Sequence, residues 1–327
     1  VKDADLVIEA VFENMDVKRD VFRKLDAIVK PEAVLASNTS TLDIDAMAAQ
    51  TKRPELVVGT HFFAPANIMK LLEIVRGKSS SAQTLQTAMA LGKKLRKVSV
   101  LSGNAFGFIG NRMFFDYSRE AIALAEEGVS PSRVDAVMKN FGMAMGPFAT
   151  FDLSGVDVFW RIQQDRGDAV GKRTNIIDRL YQAGRYGQKT GAGFYKYEKG
   201  GREPIADPEV EKLFAEEALA AGIAPRNVSD EEIVKRLVYA LVNVGADLLQ
   251  SGIALRPGDI DIVFIYGYGF PPHHGGPMWY ADEVGVANVV ADIKRFGWDV
   301  SPMLAELAQR GQALKDYRPS AKELAHA

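Results

Sequence analysis

THFFAPANIMKLLEIVRG, residues 60–77, decides how the chain is read. Two apolar runs, LVVGTHFF and LLEIV, flank the short segment APANI. Each run carries one group that a plain core strand has no use for: His61 in the first, Glu73 in the second. Pro65 lies between them and permits the chain to reverse, so the two side chains can meet. A carboxylate beside an imidazole fixes its tautomer and stabilises the protonated ring, which suits a general base. Two polar groups that satisfy each other inside a core give the same pattern, and the pair alone does not choose between them.

Working outward, residues 1–101 alternate strand and helix. DLVIEAV (5–11) reads as a strand covered on both faces. NMDVKRDVFRKLDAIV follows as a helix with Val17, Val21, Leu25 and Ile28 on one stripe. VLASNTST (34–41) is a short strand ending in a polar loop, followed by a helix over about 42–50. The strands LVVGTHFF and LLEIV, the helix TLQTAMALGKKLRK and the strand VSVL (98–101) complete the series. This alternation predicts a doubly wound α/β sheet that is largely parallel.

After Gly103 the pattern turns helical. Ile109, Met113, Tyr117, Ala121 and Leu124 recur at spacings of three and four, a long amphipathic helix. The last third repeats the middle one. Gly146-Pro147, Asp152 and Gly155-Val156 recur as Gly276-Pro277, Asp282 and Gly285-Val286 at one offset. Two related helical units packed as a pseudo-dimer are expected. The fold class is thus a doubly wound α/β domain (1–101) followed by two related all-α domains (102–200 and 201–327).

Bulk composition narrows the function. The 327 residues are 47% apolar and 25% charged, with a net charge of −2. That balance offers no general affinity for nucleic acid or anionic membrane. No cysteine is present, which removes disulfides and thiolate metal sites. No apolar run reaches membrane-span length, no signal peptide is visible, and the tail AKELAHA matches no usual targeting signal. A cytoplasmic protein is the expectation.

The other candidate residues are ambiguous one at a time. Ser40, in SNTST past a strand end, stands where α/β sheets bind ligands, but Ser there also caps helices. Asn111 could donate to a carbonyl oxygen or to a neighbouring helix. Glu13 suits a helix N-terminus and Lys18 a solvated surface. Of the remaining histidines, His273-His274 reads as a polar turn rather than a metal pair, and no metal is expected. No GxGxxG occurs, and GNAFGFIGNR and GQKTGAGFY match phosphate loops only loosely.

Taken together, IEAVFENMDVK, ASNTSTL, HFFAPANIMKLLEIV, GFIGNR, MGPF and GFYKY resemble, in order and over nearly the whole chain, the 3-hydroxyacyl-CoA dehydrogenase family of fatty-acid β-oxidation. RPGDID and GYGFP…GGPM resemble its long multifunctional members, in which an enoyl-CoA hydratase domain stands ahead of the dehydrogenase. The resemblance implies NAD-dependent oxidation of (3S)-3-hydroxyacyl-CoA thioesters. His61 would be the general base and Glu73 its orienting group. Ser40 and Asn111 would hydrogen-bond the substrate. Glu13, Lys18 and Asn38 would line the cofactor side. A second copy of the chain or a thiolase would be a partner. Lys235 stands where the second repeat would need an Asn111, so that repeat would serve packing. Ala64 departs from the Asn or Ser usual after HFF. The opening VKDADLVIEA resembles a middle strand of the family's Rossmann domain. The resemblance thus implies that 1–101 is an incomplete Rossmann-type domain, with roughly 80 residues, two to three β–α units, expected upstream. Two other readings remain: a non-catalytic scaffold or inactive fragment on the same fold, and a β-hydroxyacid dehydrogenase, which would use a Lys as its acid–base group.

Overall fold

The structure is a computed structural model, described over residues 1–166 and 175–319. His326 lies outside the described residues.

The first part holds β1 (Leu6–Glu9), α1 (Met15–Ile28), β2 (Val34–Ser37), α2 (Ile44–Ala48), β3 (Val57–Phe62), β4 (Leu71–Arg76), α3 (Ala82–Lys94) and β5 (Val98–Gly103). The strands form one sheet in chain order. β1–β2, β2–β3 and β4–β5 pair parallel, and β3–β4 antiparallel. APANI explains the exception. A parallel crossover needs a dozen or more residues, and so short a link permits only a hairpin.

Side chains alternate across the sheet as period-2 strands require. Leu35, Val57 and Val75 pack with Phe22, Ile44 and Met47 of α1 and α2. Ala36, Val58 and Ile74 pack with Ala88 of α3 on the opposite face. The sheet is therefore doubly wound, as the alternation predicted. β1 differs from expectation: among the described residues it pairs only with β2, and Leu6, Val7 and Ile8 are half-buried.

α1 is also rotated from the predicted stripe. Val17 and Ile28 are exposed, and the buried residues are Lys18 and Phe22. A lysine turns inward here because Glu9, buried at the end of β1, receives it.

The helical part begins with α4 (Gly110–Glu126); the predicted apolar stripe is buried throughout, with Ile109 at the N-cap and Met113, Tyr117, Ala121 and Leu124 in the helix. α5 (Pro131–Phe141), α6 (Pro147–Ser154), α7 (Val156–Arg166) and α8 (Asn175–Gln182) follow, and α9 (Pro208–Ala221) leads into the second unit. That unit holds α10 (Asp230–Gln250), α11 (Pro257–Gly267), α12 (Pro277–Val284), α13 (Val286–Arg295) and α14 (Pro302–Arg310). α4 and α10 pack together, and buried Arg236 of α10 pairs with Glu120 of α4 and with Glu127, which caps the end of α4. Burial pushes Glu120 up to about 7, against the pull of Arg236. Among the described residues no helix is long and apolar enough to cross a membrane.

The repeated Gly-Pro has a physical cause. α6 and α12 each start with Pro behind a glycine that has no side chain to cap the helix. An aspartate from the preceding helix does the capping instead. Asp135 accepts from the Phe148 and Ala149 amides at 2.9 and 2.8 Å. Asp261 accepts from the Met278 and Trp279 amides at 2.8 and 3.3 Å. The carboxylate must come so close that a β-carbon on Gly146 or Gly276 would lie 2.3 Å from an atom of that aspartate. The second shared aspartate works alike. Asp152 accepts from the Phe194 and Tyr195 amides, and Asp282 from those of Leu314 and Lys315. GAGFYKY is thus the strap that Asp152 holds down. Burial raises Asp135 to about 6 and Asp261 to about 7, while the backbone donors pull the other way.

Asp135→Ala leaves two buried amides and the Tyr195 hydroxyl without their acceptor. It is expected to cost about 2–4 kcal/mol in urea unfolding. A loss under about 0.5 kcal/mol would contradict this account of the cap.

Candidate active site

β3 and β4 are in register so that His61 stands directly opposite Glu73. Directly paired residues on neighbouring strands project to the same face. His61 Nδ1 and Glu73 Oε2 are 2.7 Å apart, at 4% and 0% residue exposure. An ionised carboxylate only accepts, so the proton sits on Nδ1 and Nε2 is left with the lone pair. The imidazole is packed between Phe63 and Phe108, with ring centroids 4.5 and 5.7 Å away.

Glu73 does more than hold His61. Its Oε1 accepts from the Ile109 and Gly110 amides at 3.2 and 3.0 Å. Those amides open α4, where helix N–H groups are unpaired and favour negative charge. The chain reaches that position through Gly107 and Phe108, both with φ in the left-handed region, at 75° and 52°. For a buried phenylalanine this is a strained conformation.

One residue further along α4, Asn111 donates from Nδ2 to the Ser40 carbonyl at 3.1 Å, and Tyr268 donates its hydroxyl to Asn111 Oδ1 at 2.7 Å. Ser40 is exposed and does not cap α2; Asp43 does. Asn38 accepts from the Phe62 amide at 3.0 Å, which joins the ends of β2 and β3. Glu13 accepts at one oxygen from the Thr39 hydroxyl and the Ser40 and Thr41 amides. His61, Glu73, Ser40, Asn111, Asn38 and Glu13 thus gather at one end of β1–β3, the carboxyl end where α/β sheets take ligands.

Lys18 is placed otherwise than expected. It is neither a surface charge nor open to a ligand: it is fully buried. Its ammonium bonds both oxygens of Glu9 at 2.9 and 3.1 Å and the Asn38 carbonyl at 3.3 Å. Glu9, also bonded by Ser37, was missed in the sequence. The available signal was a lone acid inside an apolar strand, the same signal that marked Glu73. Tyr268 was missed too, although its flanking glycines in GYG announce a close approach. His273 and His274 lie in a short turn, with His274 stacked on Phe141 at 4.5 Å. In the second repeat, Lys235 pairs with Glu231 and Asp292 at 2.7 and 3.2 Å.

With this geometry stand the likenesses to known proteins. Residues 1–105 match the family model described as 3-hydroxyacyl-CoA dehydrogenase, NAD binding domain, and residues 107–197 the C-terminal domain of the same family. The dehydrogenase part of multifunctional enzyme 1 from Caenorhabditis elegans is 31% identical, covers 93% of this chain and 72% of its own, and superposes with a TM-score of 0.66. The chain belongs to the 3-hydroxyacyl-CoA dehydrogenase family. The 3-hydroxybutyryl-CoA dehydrogenase of Escherichia coli K12 superposes with a TM-score of 0.78 at 25% identity, over 95% of this chain and 82% of its own. The peroxisomal bifunctional enzyme of Danio rerio is 44% identical over 334 residues, 95% of this chain. The chain spans about half of that relative's length, 46%.

Glu73→Ala removes the acceptor of the Ile109 and Gly110 amides and the partner of the His61 ring together. The substitution is expected to lower unfolding free energy by about 1–3 kcal/mol in urea melts. An unchanged midpoint would show that the carboxylate does not anchor α4.

Proposed function

We propose that the protein oxidises (3S)-3-hydroxyacyl-CoA thioesters to 3-oxoacyl-CoA in fatty-acid β-oxidation, with NAD as cofactor. The observation that carries this reading is the buried His61–Glu73 pair, joined through the start of α4 to Asn111 and Ser40. A scaffold has no need of this set, and the pairing supplies a histidine rather than a lysine as the acid–base group.

In this reading His61 Nε2 takes the 3-hydroxyl proton while C3 loses its hydride. Glu73 keeps the other ring proton on Nδ1 and offsets the imidazolium charge that forms. Ser40 and Asn111 hydrogen-bond the substrate near the reacting oxygen and the thioester. NAD, when bound, supplies the hydride acceptor. Its nicotinamide side suits the loop after β1, where Val11 and Phe12 are exposed, 69% in the case of Phe12. A flat ring fits an apolar face of that kind, and Glu13 and Asn38 stand beside it. Lys18 is proposed as a support for Glu9 and the strand ends. Among the described residues no GxGxxG turn is present for the pyrophosphate.

The same reading divides the chain into a cofactor part, 1–101, and helical parts, 102–200 and 201–327, the last without its own active site. In a longer protein an enoyl-CoA hydratase domain would stand upstream, and a second copy or a thiolase would be the partner. The relative's peroxisomal name favours a peroxisomal setting over the cytoplasm expected from composition.

The test is NADH formation from (S)-3-hydroxybutyryl-CoA by the purified protein, beside a free 3-hydroxyacid. Turnover of the thioester is expected, reduced about 10²–10⁴-fold in His61→Ala, the usual contribution of a general base. Turnover of the free acid alone, or a variant as active as the parent, would refute the proposal.

A further inference from the structure

Asn111 is useful to a substrate only if its amide points the right way. An amide can flip, exchanging its acceptor oxygen and donor nitrogen. Its neighbours decide the matter here. The Ser40 carbonyl can only accept, so the nitrogen must face it. The oxygen then faces the Tyr268 hydroxyl, which must donate. Tyr268 is remote in sequence: it is the residue after α11, in the second repeat.

Several features hold it there. Its ring meets Phe63 edge-on at 5.5 Å and stacks on Phe114 at 5.1 Å and Phe264 at 4.9 Å. Phe63 in turn packs on the His61 ring. Gly110 leaves the room: a β-carbon there would lie 2.8 Å from the Tyr268 ring and 2.9 Å from its hydroxyl oxygen. The neighbouring Gly103 amide donates to the Ile253 carbonyl at 2.8 Å, so the loop before α11 is tied to the end of β5. Burial and the nearby Glu73 charge keep the Tyr268 phenol well above its ordinary pKa, so it remains a donor.

We propose that Tyr268 is a positioning residue for the reaction, fixing the orientation of the Asn111 amide from the second repeat. This rests on the dehydrogenase reading above. The second repeat then does more than pack: it completes the active site of the first. Nε2 of His61, the Ser40 hydroxyl and the second Asn111 N–H form the substrate-facing set, and Tyr268 governs the last of these.

The experiment is a double-mutant cycle of Tyr268→Phe and Asn111→Ala in the whole protein, with kcat, KM and NAD affinity measured. The side-chain NH₂ resonance of Asn111, assigned by its loss in Asn111→Ala, is followed alongside. Tyr268→Phe keeps the ring and its packing and removes only the hydroxyl. It is expected to lower kcat about tenfold or more, as small misplacements of a substrate-holding group do. NAD affinity should stay as in the parent, and the protein should still unfold in one cooperative transition. In the Asn111→Ala background the same substitution should have no further effect, and in Tyr268→Phe the NH₂ resonance should shift. Multiplying losses in the double variant, or an NH₂ resonance indifferent to Tyr268→Phe, would overturn the proposal. A parent protein that turns over no 3-hydroxyacyl-CoA would refute the dehydrogenase reading instead, and the NH₂ resonance would still decide whether Tyr268 orients Asn111.

Discussion

Everything around the site depends on one carboxylate. Glu73 has no exposure to solvent, and its two oxygens face three donors drawn from two parts of the fold. One oxygen takes the His61 ring from the adjacent strand. The other takes the first amides of α4, the helix that opens the all-α part. An ion so deeply buried persists only when its bonding is complete. The imidazole and the helix terminus therefore stabilise the charge that positions them both. Remove either, and the other is left facing an acid with unmet bonding capacity. The same bonds carry the link from the sheet to Asn111, which lies one residue past Gly110.

A second constraint is repeated rather than central. In each helical unit an aspartate reaches across from one helix to cap the next, and a glycine is required so that it can come close. A further aspartate in each unit ties down a later strap. These features hold the two units in the same shape while their surfaces diverge. Where the first unit has Asn111, the second has Lys235 held by two acids. The second unit keeps the frame and presents Tyr268 to the first unit's site.

Much of this was legible in the chain. The hairpin followed from the shortness of APANI, and the His–Glu register from two strands that each carry one misplaced polar residue. The α4 stripe and the repeat's Gly-Pro and Asp signals were visible because each rests on a local rule of spacing or backbone geometry. What failed to show was long-range pairing of charge. The helix stripe through Val17 and Ile28 was mistaken because period alone cannot tell that Lys18 turns inward to meet Glu9. Ser40 stood open between a helix cap and a ligand group, and only the fold shows that Asp43 caps α2. Tyr268 lies 157 residues from Asn111, and no local pattern connects them.

The central claim is that Glu73 fixes the His61 ring with its proton on Nδ1 and its lone pair on Nε2. Long-range ¹H–¹⁵N correlation of the histidine rings, at a pH where His61 is neutral, reads this directly. A protonated Nδ1 with an unprotonated Nε2 is the predicted pattern, replaced by a tautomer mixture in Glu73→Ala. A neutral ring carrying its proton on Nε2 would contradict the account, because the carboxylate would then not be holding the base.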